Sequence, residues 1–212
     1  MPPKTGHFIA IDGIDGVGKS TQIQGLERLM RELGREFLTT RDPGSSEIGR
    51  RLRALLLESQ LTMHRRTEAM LFMASRCEMV ETTIRPTLAA GKSVISDRFL
   101  LANVVYQSVS DGPTGVSPDL LWQMGNLANG GVRPDLTLLL DMPAEQAMRR
   151  IQGPTDRMES RGVEYMESVR QSFLTELPRA SPFTAVIDAA RSPEQVQAEI
   201  RKAVENYLGA ST

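Results

Sequence analysis

Disulfides are the first thing this chain of 212 residues does without: Cys77 is its only cysteine. An internal disulfide is excluded, and the composition points to a reducing compartment. An excess of one charge is missing as well. The 25 basic side chains meet 26 acidic ones, for a formal net charge of −1. No global field therefore draws the protein to nucleic acid or to a membrane surface. The only histidines, His7 and His64, lack the spacing of metal ligands and are expected on the surface. No apolar stretch approaches the ~20 residues needed to cross a bilayer. The opening Met1-Pro2-Pro3-Lys4-Thr5-Gly6 is short and polar, unlike a leader. There is no internal repeat and no low-complexity tract. What remains is the expectation of a cytoplasmic globule, folded as a single domain over residues 1–212 with a real core.

What the chain does have begins at Gly13-Ile14-Asp15-Gly16-Val17-Gly18-Lys19-Ser20, which fits the phosphate-binding pattern G-x-x-x-x-G-K-[ST] at every fixed position. The apolar run Phe8-Ile9-Ala10-Ile11 precedes it and an amphipathic run from Thr21 to Leu33 follows, so the motif sits between a strand and a helix. Glycines let successive backbone N–H groups turn toward an anion. The helix N-terminus adds partial positive charge, and Lys19 adds a full one. Ser20 places a hydroxyl where a phosphate-bridging Mg²⁺ would need it.

Short apolar runs alternate with longer helical patterns along the rest of the chain. The strands are expected at Phe8–Asp12, Glu36–Thr40, Ser93–Ser96, Leu136–Asp141 and Ala185–Asp188. Helices are expected near Lys19–Leu33, Glu47–Glu58, Thr67–Ala90, Leu100–Val109, Pro118–Asn129, Ala144–Ile151, Ser160–Leu177 and Pro193–Leu208. Gly34, Gly91 and Gly209 fall where helix C-caps belong, and Pro118, Pro143 and Pro193 where first-turn prolines belong. Ser117 and Ser192 precede two of those prolines as N-caps. Pro86, inside the third helix, should kink it. The alternation predicts an α/β fold with three layers, a five-stranded parallel sheet flanked by helices on both faces. In such sheets ligands bind beyond the carboxyl ends of the strands, which brings the motif loops together.

Three loops collect at that edge: the phosphate loop, Arg41-Asp42-Pro43-Gly44-Ser45-Ser46 after the second strand, and Asp97-Arg98-Phe99 after the third. An Asp-Arg pair directly after a buried strand is either a surface ion pair or a functional pair, Asp97 holding magnesium through water and Arg98 gripping a second phosphate. In the third helix Phe72 and Arg76 share a face, as a stacking ring and a donor to a base carbonyl would, although core packing also accounts for Phe72. Asn103, Tyr106 and Gln107 share a face too, suited to a planar hydrogen-bonding ligand or to a solvated helix side. Arg149, Arg150, Arg157 and Arg161 crowd around Gly153-Pro154 between two helices. That is the composition of an arginine-bearing lid, at about residues 149–161, or of a solvated basic loop.

With these blocks in hand, the chain resembles the thymidylate kinases of bacterial type over nearly its whole length. The resemblance rests on Asp12-Gly13-Ile14-Asp15-Gly16-Val17-Gly18-Lys19-Ser20-Thr21, on Arg41-Asp42-Pro43-Gly44 followed by Arg53-Ala54-Leu55-Leu56-Leu57, and on Thr67-Glu68-Ala69-Met70-Leu71-Phe72 with Ala74-Ser75-Arg76. Asp97-Arg98-Phe99 with Tyr106-Gln107, Arg133-Pro134-Asp135-Leu136-Thr137 and Asp156-Arg157-Met158-Glu159 complete it. The glycine loop alone would fit hundreds of ATPases; the combination is far more specific. It implies transfer of a phosphoryl group from ATP to dTMP with Mg²⁺. The implied cofactor site is Gly13, Asp15, Gly16, Val17, Gly18, Lys19, Ser20 and Thr21, with Ser20, Asp15 and Asp97 at the metal.

The resemblance also implies an acceptor site. Asp15 would accept from the sugar 3′-hydroxyl, and Arg53 and Arg98 would hold the acceptor phosphate beside Pro43. Phe72 would stack on thymine, Arg76 would bond O4, Asn103 and Gln107 would serve the remaining edge, and Tyr106 would crowd the 2′ position. Catalysis would fall to Lys19, Asp97, Arg98 and a lid arginine, Arg150 or Arg157, with Arg149 also in reach. Ile187-Asp188-Ala189 resembles the loop near the ATP adenine, and the family usually forms homodimers. This chain departs from the family in having Asp12 and Asp42 where Glu is common, and Phe99 where Tyr or His is usual. Its phosphate loop carries Gly16-Val17 instead of an Arg, which places it with the members whose basic residues sit in the lid. Rival readings are a kinase for another pyrimidine monophosphate, a nucleotide switch (although Asn-Lys-x-Asp is absent), and a non-catalytic nucleotide binder.

Overall fold

A computed structural model describes residues 6–58, 61–109, 115–151 and 162–210. Five strands, β1 (Phe8–Asp12), β2 (Phe37–Arg41), β3 (Ser93–Asp97), β4 (Leu136–Asp141) and β5 (Phe183–Asp188), form one sheet in the order β2-β3-β1-β4-β5. Every neighbouring pair is parallel. The central β1 is wholly buried, as a strand covered on both faces must be. The edge strands β2 and β5 leave several side chains in solvent.

Helix α1 (Lys19–Glu32) puts Ile23, Leu26, Leu29 and Met30 on one buried stripe and packs on the sheet beside α9 (Pro193–Ala210). The opposite face of β1 carries Phe8, Ala10 and Asp12. The Phe8 ring meets the Phe99 ring edge-on at the head of α5 (Leu100–Ser108). Around α5 are packed α3 (Arg65–Met79), α6 (Pro118–Asn129) and α8 (Val163–Glu176), with α7 (Ala144–Arg150) against α8. Two short helices, α2 (Glu47–Arg53) and α4 (Arg85–Ala89), complete the set.

The third expected helix is not one regular rod. After α3 the chain widens into a π-helical turn at Val80–Ile84 before α4 begins with Pro86 in its first turn. A proline ring clashes with the carbonyl one turn back, and a wider turn removes that clash without ending the helix. The second expected helix likewise ends in a π-helical turn, Ala54–Glu58. Gly34 and Gly91 take positive φ just past α1 and α4 as expected, whereas Gly209 lies inside α9 and caps nothing. Pro143 is the N-cap of α7, not a residue of its first turn. Ser117 accepts from the Leu120 N–H and Ser192 from the Gln195 N–H, and the Gln195 side chain accepts in return from the Ser192 N–H. That reciprocal pair is a capping box. His64 is exposed and caps α3, but His7 is half-buried, its Nδ1 2.8 Å from the Tyr207 hydroxyl. Among the described residues no helix is long and apolar enough to cross a membrane.

Candidate active site

The carboxyl ends of β1, β2 and β3 carry the three loops of interest. The first turns sharply through Gly13, Gly16 and Gly18, all at positive φ. At Gly16 a Cβ would lie 2.1 Å from the Ala147 carbonyl oxygen of α7, so only glycine permits this φ and this closeness. Gly18 is the N-cap of α1. The loop borders a cleft of about 1160 Å³ whose wall includes Asp15, Gly16, Val17, Gly18, Lys19, Ser20 and Thr21, with Asp97, Arg98 and Arg150 across from them. Ala189, Arg191, Pro193 and Val196 close its far end. Of the expected adenine loop, Ala189 is there; Ile187 and Asp188 are not part of the wall.

Lys19 is nine-tenths buried and folded onto its own loop. Its Nζ donates to the carbonyls of Gly13 (3.0 Å) and Ile14 (2.8 Å) and lies 3.4 Å from Asp15 Oδ1. Burial, with the nearby Arg98 charge, brings its pKa down to about 8. Arg98 is the one non-glycine residue with positive φ (68°) among the described residues, a conformation that costs about 1 kcal/mol or more and clusters at functional sites. The twist aims its guanidinium back at the loop, donating to Gly13 O (2.9 Å) and Asp15 Oδ1 (2.6 Å). Its carbon lies 5.2 Å from the centre of the Tyr106 ring, and the Tyr106 hydroxyl donates to Asp15 Oδ2 at 3.1 Å. Burial alone would raise the Asp15 carboxyl, but Arg98 and Lys19 beside it outweigh burial and hold it well below the usual carboxylate range. Lys19 and Arg98 are thus both gathered on one carboxylate.

A second cavity opens behind this cluster. Asp15, Pro43, Arg53, Phe72, Arg76, Arg98, Asn103, Tyr106 and Gln107 all line it, so every residue expected at the acceptor converges on one space. Arg53 donates to the Pro43 carbonyl at 3.1 Å. Arg76, only 1% exposed, donates through Nε to Asp42 Oδ2 at 2.7 Å, and through Nη2 to Asp42 and to Asn103 Oδ1. Asn103 and Gln107 are buried members of that network, not a solvated helix side.

The two spaces meet: Asp15, Arg41 and Arg98 line both. Arg41 had no assigned role in the sequence, yet its position is legible from β2. As its last residue it pairs in register with Asp97, and its Nε lies 3.6 Å from Asp97 Oδ2. Asp42, the anchor of Arg76, and Glu68, which accepts from Gln107 Nε2 at 2.9 Å, were also given no role. Glu68 precedes Phe72 and Arg76 at helical spacing on the same face of α3, a periodicity that could have found it.

Residues that could hold Mg²⁺ are oxygen donors, as that cation requires. Asp97 Oδ1 is buried without a hydrogen-bond partner, and Ser20 stands exposed at the start of α1. Asp15 lines the same cleft but is engaged by Arg98 and Tyr106. Of the lid, Arg149 pairs with Glu145 at 2.5 Å and Arg150 donates to the Ala189 carbonyl at 3.1 Å. Arg157 and Arg161, with Gly153-Pro154, lie outside the described residues.

A parallel sheet, a phosphate loop at its central strand and two adjoining spaces at the carboxyl edge define a P-loop α/β protein. Comparison with known proteins narrows this. The thymidylate kinase family profile matches residues 11–200, and the chain belongs to that family. It is 61% identical over 205 residues to a thymidylate kinase of Rhodopirellula baltica, covering 97% of this chain and 82% of the relative. To a thymidylate kinase of Symbiobacterium thermophilum it is 42% identical over 204 residues, 95% of this chain and 94% of the relative. To one from Ectopseudomonas mendocina it is 38% identical, covering 97% and 98%.

Proposed function

We infer that the protein phosphorylates dTMP to dTDP at the expense of ATP. The observation that carries this is the shared wall: among the described residues, Asp15, Arg41 and Arg98 line both the phosphate-loop cleft and the second cavity. ATP would enter the first space with its phosphates on the loop, and dTMP the second with its base between Phe72 and Arg76. An oxygen of the dTMP 5′-phosphate attacks the γ-phosphorus of ATP, the bond from γ-phosphorus to the β,γ-bridging oxygen breaks, and ADP leaves. The attacking oxygen is already anionic, so no strong base is needed. Rate comes from alignment and from neutralising the charge that spreads over the moving group.

Lys19 and Arg98 would exchange Asp15 for phosphate oxygens, and Arg53 would hold the acceptor phosphate. Mg²⁺ would be held by Ser20 and, through water, by Asp97, with Asp15 placing it; when bound it supplies charge neutralisation between the terminal phosphates. Arg150 would serve from the wall of the phosphate-loop cleft. Residues 152–161 of the expected lid at 149–161, Arg157 included, lie outside the described residues, and the chain is read as a single domain. Tyr106, held on Asp15, would crowd a ribose 2′-hydroxyl and favour deoxyribose. We place the protein in the cytoplasm, consistent with its lone cysteine, and as a homodimer through the α3–α6 region, where Met70 and Leu127 are 59% and 85% exposed. Sedimentation would read the dimer directly.

The decisive experiment is a coupled ADP-release assay with Mg²⁺ and ATP, giving the enzyme dTMP, dUMP, UMP, AMP or no acceptor. The expected result is rapid release with dTMP and little without acceptor. Release independent of acceptor would instead favour a switch or simple ATPase. Equal rates with all pyrimidine monophosphates would shift the assignment to a broader kinase.

A further inference from the structure

Helix α3 presents Glu68, Phe72 and Arg76 at successive turns of one face, and all are buried. Between Arg76 and Glu68 stand two amides from α5, Asn103 and Gln107. Arg76 Nη2 donates to Asn103 Oδ1, Asn103 Nδ2 donates to Gln107 Oε1 at 3.0 Å, and Gln107 Nε2 donates to Glu68 Oε1 at 2.9 Å. Asp42 anchors the far side of Arg76, and Arg65 Nη1 lies 3.3 Å from the same Glu68 oxygen.

The two ends of this chain are chemically one-sided. A guanidinium can only donate and a carboxylate only accept, whereas each amide between them could face either way. With Arg76 at one end and Glu68 at the other, a single orientation of both amides satisfies every link. Reversing Gln107 would turn its carbonyl on the Glu68 carboxylate and its NH₂ on that of Asn103. Side-chain amides are oriented by such networks, and in a buried setting the mismatch is expensive.

We propose that Glu68 is a specificity-positioning residue: it fixes the direction of the Arg76–Asn103–Gln107 chain, so that Gln107 turns an acceptor oxygen, not an amide NH₂, toward the base cavity it lines. This rests on the reading of that cavity as the dTMP site. The Gln107 Oε1 keeps a second lone pair after serving Asn103. The N3 position of thymine carries a hydrogen that such an oxygen accepts; the N3 of cytosine carries a lone pair that it repels. Glu68, without touching the ligand, thus selects the tautomeric pattern of the pyrimidine edge, and Arg76 selects the carbonyl next to it.

The test is Glu68→Gln, which preserves shape but can both donate and accept, assayed with dTMP and dCMP under saturating ATP. The ratio of kcat/KM for dTMP over dCMP should contract roughly tenfold or more. Most of the loss should lie in the KM for dTMP, with kcat for dTMP near wild type. An unchanged ratio, or an equal fall with both acceptors, overturns the proposal. The exchange variant Glu68→Gln with Gln107→Glu keeps an acceptor facing the base. It should recover the wild-type ratio whether or not the single variant folds, and a contracted ratio there also overturns it. Wild-type turnover of dTMP is the control: its absence sinks the site assignment, while turnover with an unmoved variant ratio sinks only the role of Glu68.

Discussion

The phosphate-loop cleft takes half of its wall from one continuous stretch, Asp15 to Gln22, whereas the acceptor cavity draws on the loops after β1, β2 and β3 and on α2, α3 and α5 together. The contrast extends to chemistry. In the first, the shape of the loop is set by glycine dihedrals and its own charge by one lysine and a helix end, all within a few residues of each other, with Arg98 and Arg150 added from elsewhere. In the second, shape and charge are set by buried side chains that hold one another: Arg76 on Asp42, Asn103 on Arg76, Gln107 on Asn103, Glu68 on Gln107. A cleft of the first kind serves any polyphosphate. A cavity of the second kind can be selective, because a ligand that breaks its network leaves buried polar groups unpaired.

Substitutions can break this comparison at either end. Lys19→Ala should lower kcat by about 10³-fold, by analogy with the loss of other charge-stabilising donors, and leave the melting temperature close to wild type. The coupled assay and a thermal melt together read it, and near-normal turnover would refute the charge-clamp account. Arg76→Met should instead act on the fold. It strands the Asp42 carboxylate in the interior at a cost of about 3–5 kcal/mol, read by urea unfolding. Asp42→Asn added to Arg76→Met should recover much of that loss.

A third variant probes a charge that neither space uses. Asp12 is fully buried, neither carboxylate oxygen has a hydrogen-bond partner, and burial raises its pKa from 3.8 to about 7, against the pull of Arg98 and Lys19. Between those two values the folded protein holds a proton that the unfolded chain has released, so Asp12 makes stability decline as pH rises through that window. Asp12→Asn should therefore match wild type near pH 4 and exceed it above pH 7, by up to about 4 kcal/mol. Equal stability curves across the range would show that the carboxyl is solvated. The smallest effect is expected from Phe72→Leu, which keeps apolar bulk and loses the stacking face. It should raise the KM for dTMP by about two- to twelvefold, from an aromatic contribution of about 0.5–1.5 kcal/mol, and leave the KM for ATP unmoved. A matching rise for ATP would mean that the two spaces are not energetically separate.

The strands and most helices were readable in advance because their signals are local. An apolar run bounded by glycine makes β1, and a serine three residues before a glutamine starts α9. Errors arose where a neighbour in space decided the outcome. The π-helical turn before Pro86 was not expected. Arg41 was named with the loop after the second strand but given no role of its own. Only its register with Asp97 places it where both spaces meet. Phe72 and Arg76 could be assigned to one face, yet core packing explained Phe72 as well, until Asp42, Asn103 and Gln107 arrived from other elements to surround them.

By itself the sequence determined the element order, the parallel sheet and the phosphate loop with its lysine, because dihedral preference, hydrophobic period and motif spacing all act over a few residues. Tertiary structure alone decided that Arg98 turns back on Asp15, that Arg41 stands between the two spaces, and that Glu68 directs a chain of amides. Those outcomes depend on contacts between residues as much as 83 positions apart, whose geometry is settled only when the sheet brings its loops to one edge.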